Sequence, residues 1–239
     1  FEPVKGNSSE SVGSVSSAEV LWESYGTSET PVVGSLVSSV SAQGDMIVFK
    51  VPEPYREGNA VIAAKDEVGT ILWSWHIWLT DQPQEQIYNN NAGTMLDRNL
   101  GATSATPGDV GALGLLYQWG RKDPFLGYSS VTKTTVAKST ISWPSVVSTS
   151  SSVGTVDYTV ANPTTYITAF SSPYDWHYSS GDNTLWQSGK TIYDPCPAGY
   201  RVPDGGDSGV WSIAHGSSSS YIGTFDSINR GFDFSGDFG

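Results

Sequence analysis

The chain has 239 residues, room for one large or two small domains, with 38% hydrophobic residues to build a core and only 15% charged ones. Its 24 acidic against 12 basic residues give a formal charge of −12, which excludes the basic footprint that nucleic-acid phosphates demand and disfavours docking on anionic lipid. No run approaches the ~20 apolar residues of a membrane span. The opening residues lack the basic and apolar regions of an export signal, so any such signal has been removed or lies outside this chain. Nine Trp and twelve Tyr against two Met is the composition of a β-rich extracellular protein. Such aromatics mostly fill cores, and some stack on sugars.

Residues 1–82 read as strands. Residues 46–51 place Ile47, Phe49 and Val51 on one face. After the polar connection 53–58 comes the apolar run 59–65, then turn chemistry in Asp66-Glu67-Val68-Gly69. Ile71–Leu79 alternates strictly, with Ile71, Trp73, Trp75, Ile77 and Leu79 on one face and Ser74 and His76 on a more polar one. The two runs form a hairpin with a four-residue loop. Strands at 20–24 and 36–41 bring the total to at least five, which predicts a small Ig-like sandwich whose first strand is missing. Residues 80–84 mark the boundary between domains 1–82 and 83–239.

Beyond it, residues 95–100 read as a short strand. Pro107-Gly108-Asp109 caps a helix whose stripe is Ala112, Leu115, Leu116 and Trp119. Gly111 and Gly114 each cost that helix roughly 1 kcal/mol, so packing must hold it. Residues 129–155 are rich in Ser and Thr and form a long surface excursion. Asp207 or Ser208 caps a second short helix carrying Val210, Trp211 and Ala214. Phe225, Phe232 and Phe234 alternate with polar residues in a final strand-like region. There is no internal repeat, which removes solenoids and propellers.

Three segments carry a resemblance: Asp97-Arg98-Asn99-Leu100-Gly101-Ala102-Thr103, Tyr117-Gln118-Trp119-Gly120-Arg121-Lys122-Asp123-Pro124-Phe125, and the run from Tyr193 to Pro203 around Asp194-Pro195-Cys196-Pro197. Together they resemble the Fibrobacter succinogenes major paralogous domain, a C-type-lectin-like module of Bacteroidota surface proteins, over roughly residues 85–239. The strands upstream look like the sandwich that precedes this domain in surface lipoproteins and fimbrial-tip-like adhesins. The resemblance implies a β-rich α+β fold: an Ig-like β-sandwich, then a lectin-like domain with two short helices. It further implies that Cys196, the only cysteine, pairs in the family with one near the domain's C-terminus. The chain ends at Gly239 before such a residue, so a truncated domain with an open sheet edge, able to self-associate, is expected.

The implied work is non-catalytic recognition of a glycan or a protein at the cell surface, the full-length protein being anchored to the outer membrane. An accessory carbohydrate-binding module of a polysaccharide-utilisation system, or a structural pilus or surface-layer subunit, are the alternatives.

The chemistry-bearing residues agree with an absence of catalysis. His76, His177 and His215 are scattered without zinc spacing, and no Gly-x-Ser-x-Gly elbow occurs. The acids of the C-terminal half are all aspartates, mostly beside Gly, Pro, Ser or Asn, which is turn chemistry rather than a glycosidase pair. The lectin-like fold also hosts a formylglycine-generating oxidase that holds copper through cysteines, and lone Cys196 cannot supply the pair. No cofactor or metal is expected.

Tyr174-Asp175-Trp176-His177-Tyr178 and Gly181-Asp182-Asn183-Thr184-Leu185-Trp186 form the most binding-like segment. Trp176, Tyr178 and Trp186 offer stacking faces, and Asp182 and Asn183 offer hydrogen bonds to hydroxyls. The same two residues offer oxygen to calcium, although the calcium motifs of sugar-binding C-type lectins are absent. The competing reading is a loop folded around its own tryptophans. Asp97, Arg98, Arg121, Lys122 and Asp123 read as a partly buried ion-pair network fixing helix against sheet, a structural role shared with Cys196.

Overall fold

A computed structural model describes residues 1–169, 174–179, 182–216, 224–228 and 231–233. It is a β-rich α+β protein of short antiparallel sheets and two short helices. Five strands arise early: β1 (Ser17–Ser24), β2 (Ser39–Gln43), β3 (Met46–Lys50), β4 (Gly58–Lys65) and β5 (Ile71–Leu79). They make an antiparallel sheet ordered β1-β4-β5 and a separate β2–β3 hairpin.

The period-two pattern of β5 does what it predicts on one face. Trp73, 2% exposed, joins Val37, Ile47, Ala60, Ile62 and Ala64 in a core against which Trp75 and Ile77 pack. The β4–β5 turn is fixed by the Asp66 carboxylate, which accepts hydrogen bonds from the amides of Val68 and Thr70.

The other face is not the solvent face that Ser74 and His76 suggested. Trp22 and Val61 pack there on Leu115, with Tyr117, Leu126, Ile141 and Trp143 around them. The Trp78 indole donates to the Ala102 carbonyl and the Asn59 amide to that of Gly101. A sheet covered on both faces explains why β4 is a nearly continuous apolar run, buried from Gly58 to Ala64. Side chains from both sides of residue 82 share these cores; Ile192 and Tyr193 close the first one.

The stretch 36–41 enters its strand late because buried Glu23 takes the preceding loop. Its carboxylate accepts the amides of Gly34, Leu36 and Val37 at 2.6, 2.7 and 2.9 Å.

The rest is mostly loops. A hairpin of β6 (Glu85–Tyr88) and β7 (Gly93–Leu96) replaces the strand expected at 95–100. The pair β8 (Val147–Ser148) and β9 (Ile167–Thr168) is parallel. Helix α1 (Val156–Ala161), unforeseen in the sequence, starts where the Thr155 hydroxyl caps the Tyr158 amide and ends before Pro163. Helix α2 (Val210–His215) lies where expected, entered from Gly209 rather than capped by Asp207 or Ser208. β10 (Thr224–Asp226) pairs with β11 (Gly231–Asp233), setting Phe225 opposite Phe232; Phe234 lies outside the described residues.

The predicted helix through Leu115 and Trp119 does not form. Only a 3₁₀ turn, Val110–Ala112, follows the Asp109 cap. Gly114 has φ +68°, and a Cβ there would stand 2.6 Å from the Leu100 carbonyl oxygen. That left-handed residue breaks the stripe: the Leu115 amide bonds the Leu100 carbonyl, and Leu116 forms a bridge with Phe125. No helix among the described residues is long and apolar enough to cross a membrane.

Candidate functional site

The loops of the second region converge on one aromatic face. The chain turns at Gln118–Arg121, with Gly120 at φ +79°, where a Cβ would stand 2.9 Å from Leu185. The turn projects Trp119 outward, 50% exposed. Trp186 meets it edge to face at 5.0 Å between centroids. Trp186 is in turn anchored by its indole N–H to the Tyr193 carbonyl at 2.9 Å.

Among the expected ligand residues, Trp176 lies inside rather than at the surface. It is 4% exposed, packed with Ile167 and Leu185, and its indole N–H donates to the Trp119 carbonyl at 2.6 Å. It supports the face from behind. Tyr178 is 58% exposed, with its amide bonded to the Gly154 carbonyl. Asn183 is exposed. Asp182 closes a turn: Oδ1 accepts the Thr184 amide and hydroxyl, which hold its carboxyl below the usual range. Gly181 lies outside the described residues.

Trp119 was assigned to a helix stripe in the sequence; the glycine that follows it was the available signal that it ends a turn instead. Among the described residues, no group of three His, Cys, Asp or Glu side chains is placed to hold a metal.

Beneath the face sits Arg121, 2% exposed. Its guanidinium donates to Gln118 Oε1 and the Thr165 carbonyl, both at 2.8 Å, and to the Asn162 carbonyl at 3.4 Å. It lies 5.0 Å from the Phe125 ring and 5.8 Å from that of Trp176. Burial lowers it to about 10. The expected ion-pair network is therefore divided. Arg121 binds the Gln118 side chain and two carbonyls of the loop that follows α1, which have no ladder partner. Arg98 pairs with Asp97 at 2.8 Å and with Asp81 at 2.5 Å, tying the Asp97 segment to the end of β5, and both acids raise its pKa.

Lys122 and Asp123 pair at 2.7 Å with side chains 7% and 5% exposed. The Ser74 hydroxyl donates to Asp123 and accepts from Lys122, each at 2.5 Å. Serine beside lysine is a nucleophile–base pattern only if the amine is neutral. Burial lowers the lysine pKa and Asp123 opposes the shift; the carboxylate accepts from both Lys122 and Ser74.

The cysteine motif is organised by Asp194, which accepts the amides of Cys196 and Val202 and the Lys190 ammonium at 2.8–3.0 Å. Burial first, then Asp194, pushes the Cys196 thiol up to about 12, which disfavours its thiolate. Pro195, Cys196 and Pro197 form one wall of a cleft of about 180 Å³ whose opposite side is β5. Among the described residues the buried Tyr117 hydroxyl has no hydrogen-bond partner; burial, Cys196 and Asp123 raise its pKa.

No known family model, curated protein or solved structure matches the chain.

Proposed function

We propose that this chain is a non-catalytic recognition protein of the cell surface, binding a glycan or a protein through the face built on Trp119 and Trp186. The reading takes residues 83–239 as a member of the Fibrobacter succinogenes major paralogous family and residues 1–82 as its preceding Ig-like sandwich, on the strength of the three motifs. The observation that carries it is the half-exposed Trp119 ring, set edge to face on Trp186 over a base fixed by Trp176. Its indole N–H has no partner among the described residues. A rigid ring with a free donor suits a sugar's C–H face and a neighbouring hydroxyl, and costs little entropy to bind. Tyr178 and Asn183 are exposed as well and are the further residues offered to a ligand.

The test is a glycan array probed with the wild type and with Trp119→Ala. Hits that Trp119→Ala loses support the reading. An array without hits, or hits indifferent to the substitution, turns it toward the structural pilus or surface-layer alternative.

A further inference from the structure

The strand β5 is an edge strand, with β4 on one side and, among the described residues, no strand on the other. In an antiparallel ladder, the N–H and C=O of alternate residues point to the same side. The Ser74 carbonyl points away from β4, since it accepts the Lys122 ammonium at 3.3 Å. By the same alternation His76 and Trp78 direct their backbone groups outward, and no described residue bonds them.

These groups open into the cleft of about 180 Å³, flanked by Gly6 and Asn7 on one face of β5 and by Leu100 and Lys122 on the other. The far wall cannot pair with the strand. Pro195 and Pro197 lack an N–H, and Cys196 has both backbone groups taken, its amide by Asp194 and its carbonyl by Lys190. The result is a slot about 13 Å long between Ser74 and Trp78, at roughly 3.3 Å per residue, with unmet backbone donors and acceptors at His76 and Trp78.

We propose that this slot binds an extended, uncharged peptide segment of a partner protein as a strand added to β5. A wall behind the edge excludes the sheet of a second folded copy, so the occupant must be a single flexible chain. Its main chain would bond the amides and carbonyls of His76 and Trp78. Its side chains would alternate between Trp75 and Trp78, whose indoles are already fixed to the carbonyls of Val4 and Ala102. Charge selects against ionic side chains: Lys122 is paired with Asp123, Lys190 with Asp194 and Lys5 with Glu10, leaving no free ion at the slot.

The test selects a phage-displayed library of random seven-residue peptides on the immobilised full chain. The enriched sequence is then synthesised with blocked termini and its Kd measured. Uncharged peptides with small apolar residues at alternate positions are expected. Methylating alternate backbone amides of the hit should weaken it about tenfold or more. Cys196→Phe, which fills the slot, and Asn7→Arg, which obstructs its rim on an exposed loop and spares the core, should each do the same. Trp119→Ala should leave the affinity unchanged, which separates this site from the aromatic face. The proposal is overturned if no peptide enriches over bare support, or if the hits ignore both amide methylation and Asn7→Arg. It is equally overturned if β5 proves to be a dimer interface, seen as concentration-dependent protection of the His76 and Trp78 amides from exchange.

Discussion

The strand-built half and the loop-built half solve the same problem with different groups. Between β1, β4 and β5 the facing backbone polar groups satisfy one another in ladders, and apolar side chains fill the core. Around the aromatic face there are almost no ladders, and buried polar side chains do that work: Arg121 for three acceptors, Gln118 for the Ile167 carbonyl and amide, Asp194 for the cysteine motif. A loop can be as fixed as a strand when each buried carbonyl and amide finds a side-chain partner. The consequence is a different sensitivity to mutation.

The sharpest way to break the contrast is Arg121→Met. Replacing a buried ion by a hydrophobe can be neutral when its partners go with it. Here the buried Thr165 carbonyl stays behind without a donor, while Gln118 Oε1 and the Asn162 carbonyl keep only the Ile167 and Thr165 amides. A loss of about 3–5 kcal/mol is expected in urea unfolding, with Trp119 fluorescence changing as its support loosens. The strand half contains one exception that should behave like the loops. Glu23→Gln removes an acceptor from the amides of Gly34, Leu36 and Val37 and should cost about 2 kcal/mol by the same measurement.

A smaller effect sharpens the comparison through pH. His76 lies where the two halves meet, its Nε2 2.8 Å from Asn59 Oδ1. Asn59 uses its amide on the Gly101 carbonyl, so the imidazole donates through Nε2–H. Burial lowers its pKa from 6.5 to about 4. Between these values the unfolded chain binds the proton and the folded one does not, so stability rises with pH across that window. From pH 7 to pH 5 this group should remove on the order of 1–2 kcal/mol. Melting curves of the wild type should show that slope, and His76→Gln should flatten it.

How much was legible follows from the same contrast. Strands announce themselves locally: the alternation at Ile71–Leu79, the apolar run of β4 and the Asp66 turn all appear where the sequence puts them. Helix α2 was legible for the same reason. The stripe through Leu115 and Trp119 misled because helical spacing is not sufficient once a left-handed Gly114 against the Leu100 carbonyl interrupts it. At the aromatic face the governing contacts are distant in sequence. The Trp176 indole reaches Trp119 across 57 positions and Gln118 reaches Ile167 across 49. No window of sequence reveals which tryptophan is the support and which is the surface. Tyr178, Asn183 and Trp186 stand out in the local sequence; the exposure of Trp119 needed the fold.

The proposed recognition face is tested most directly by measuring Kd for the strongest glycan-array hit with the wild type, Trp119→Ala and Asn7→Arg, each first matched in melting temperature. Truncating a central exposed indole should cost about 2 kcal/mol, roughly thirtyfold in Kd, while Asn7→Arg, at the rim of the β5 cleft, binds as the wild type does. Equal affinities for Trp119→Ala and wild type would contradict the assignment of this face.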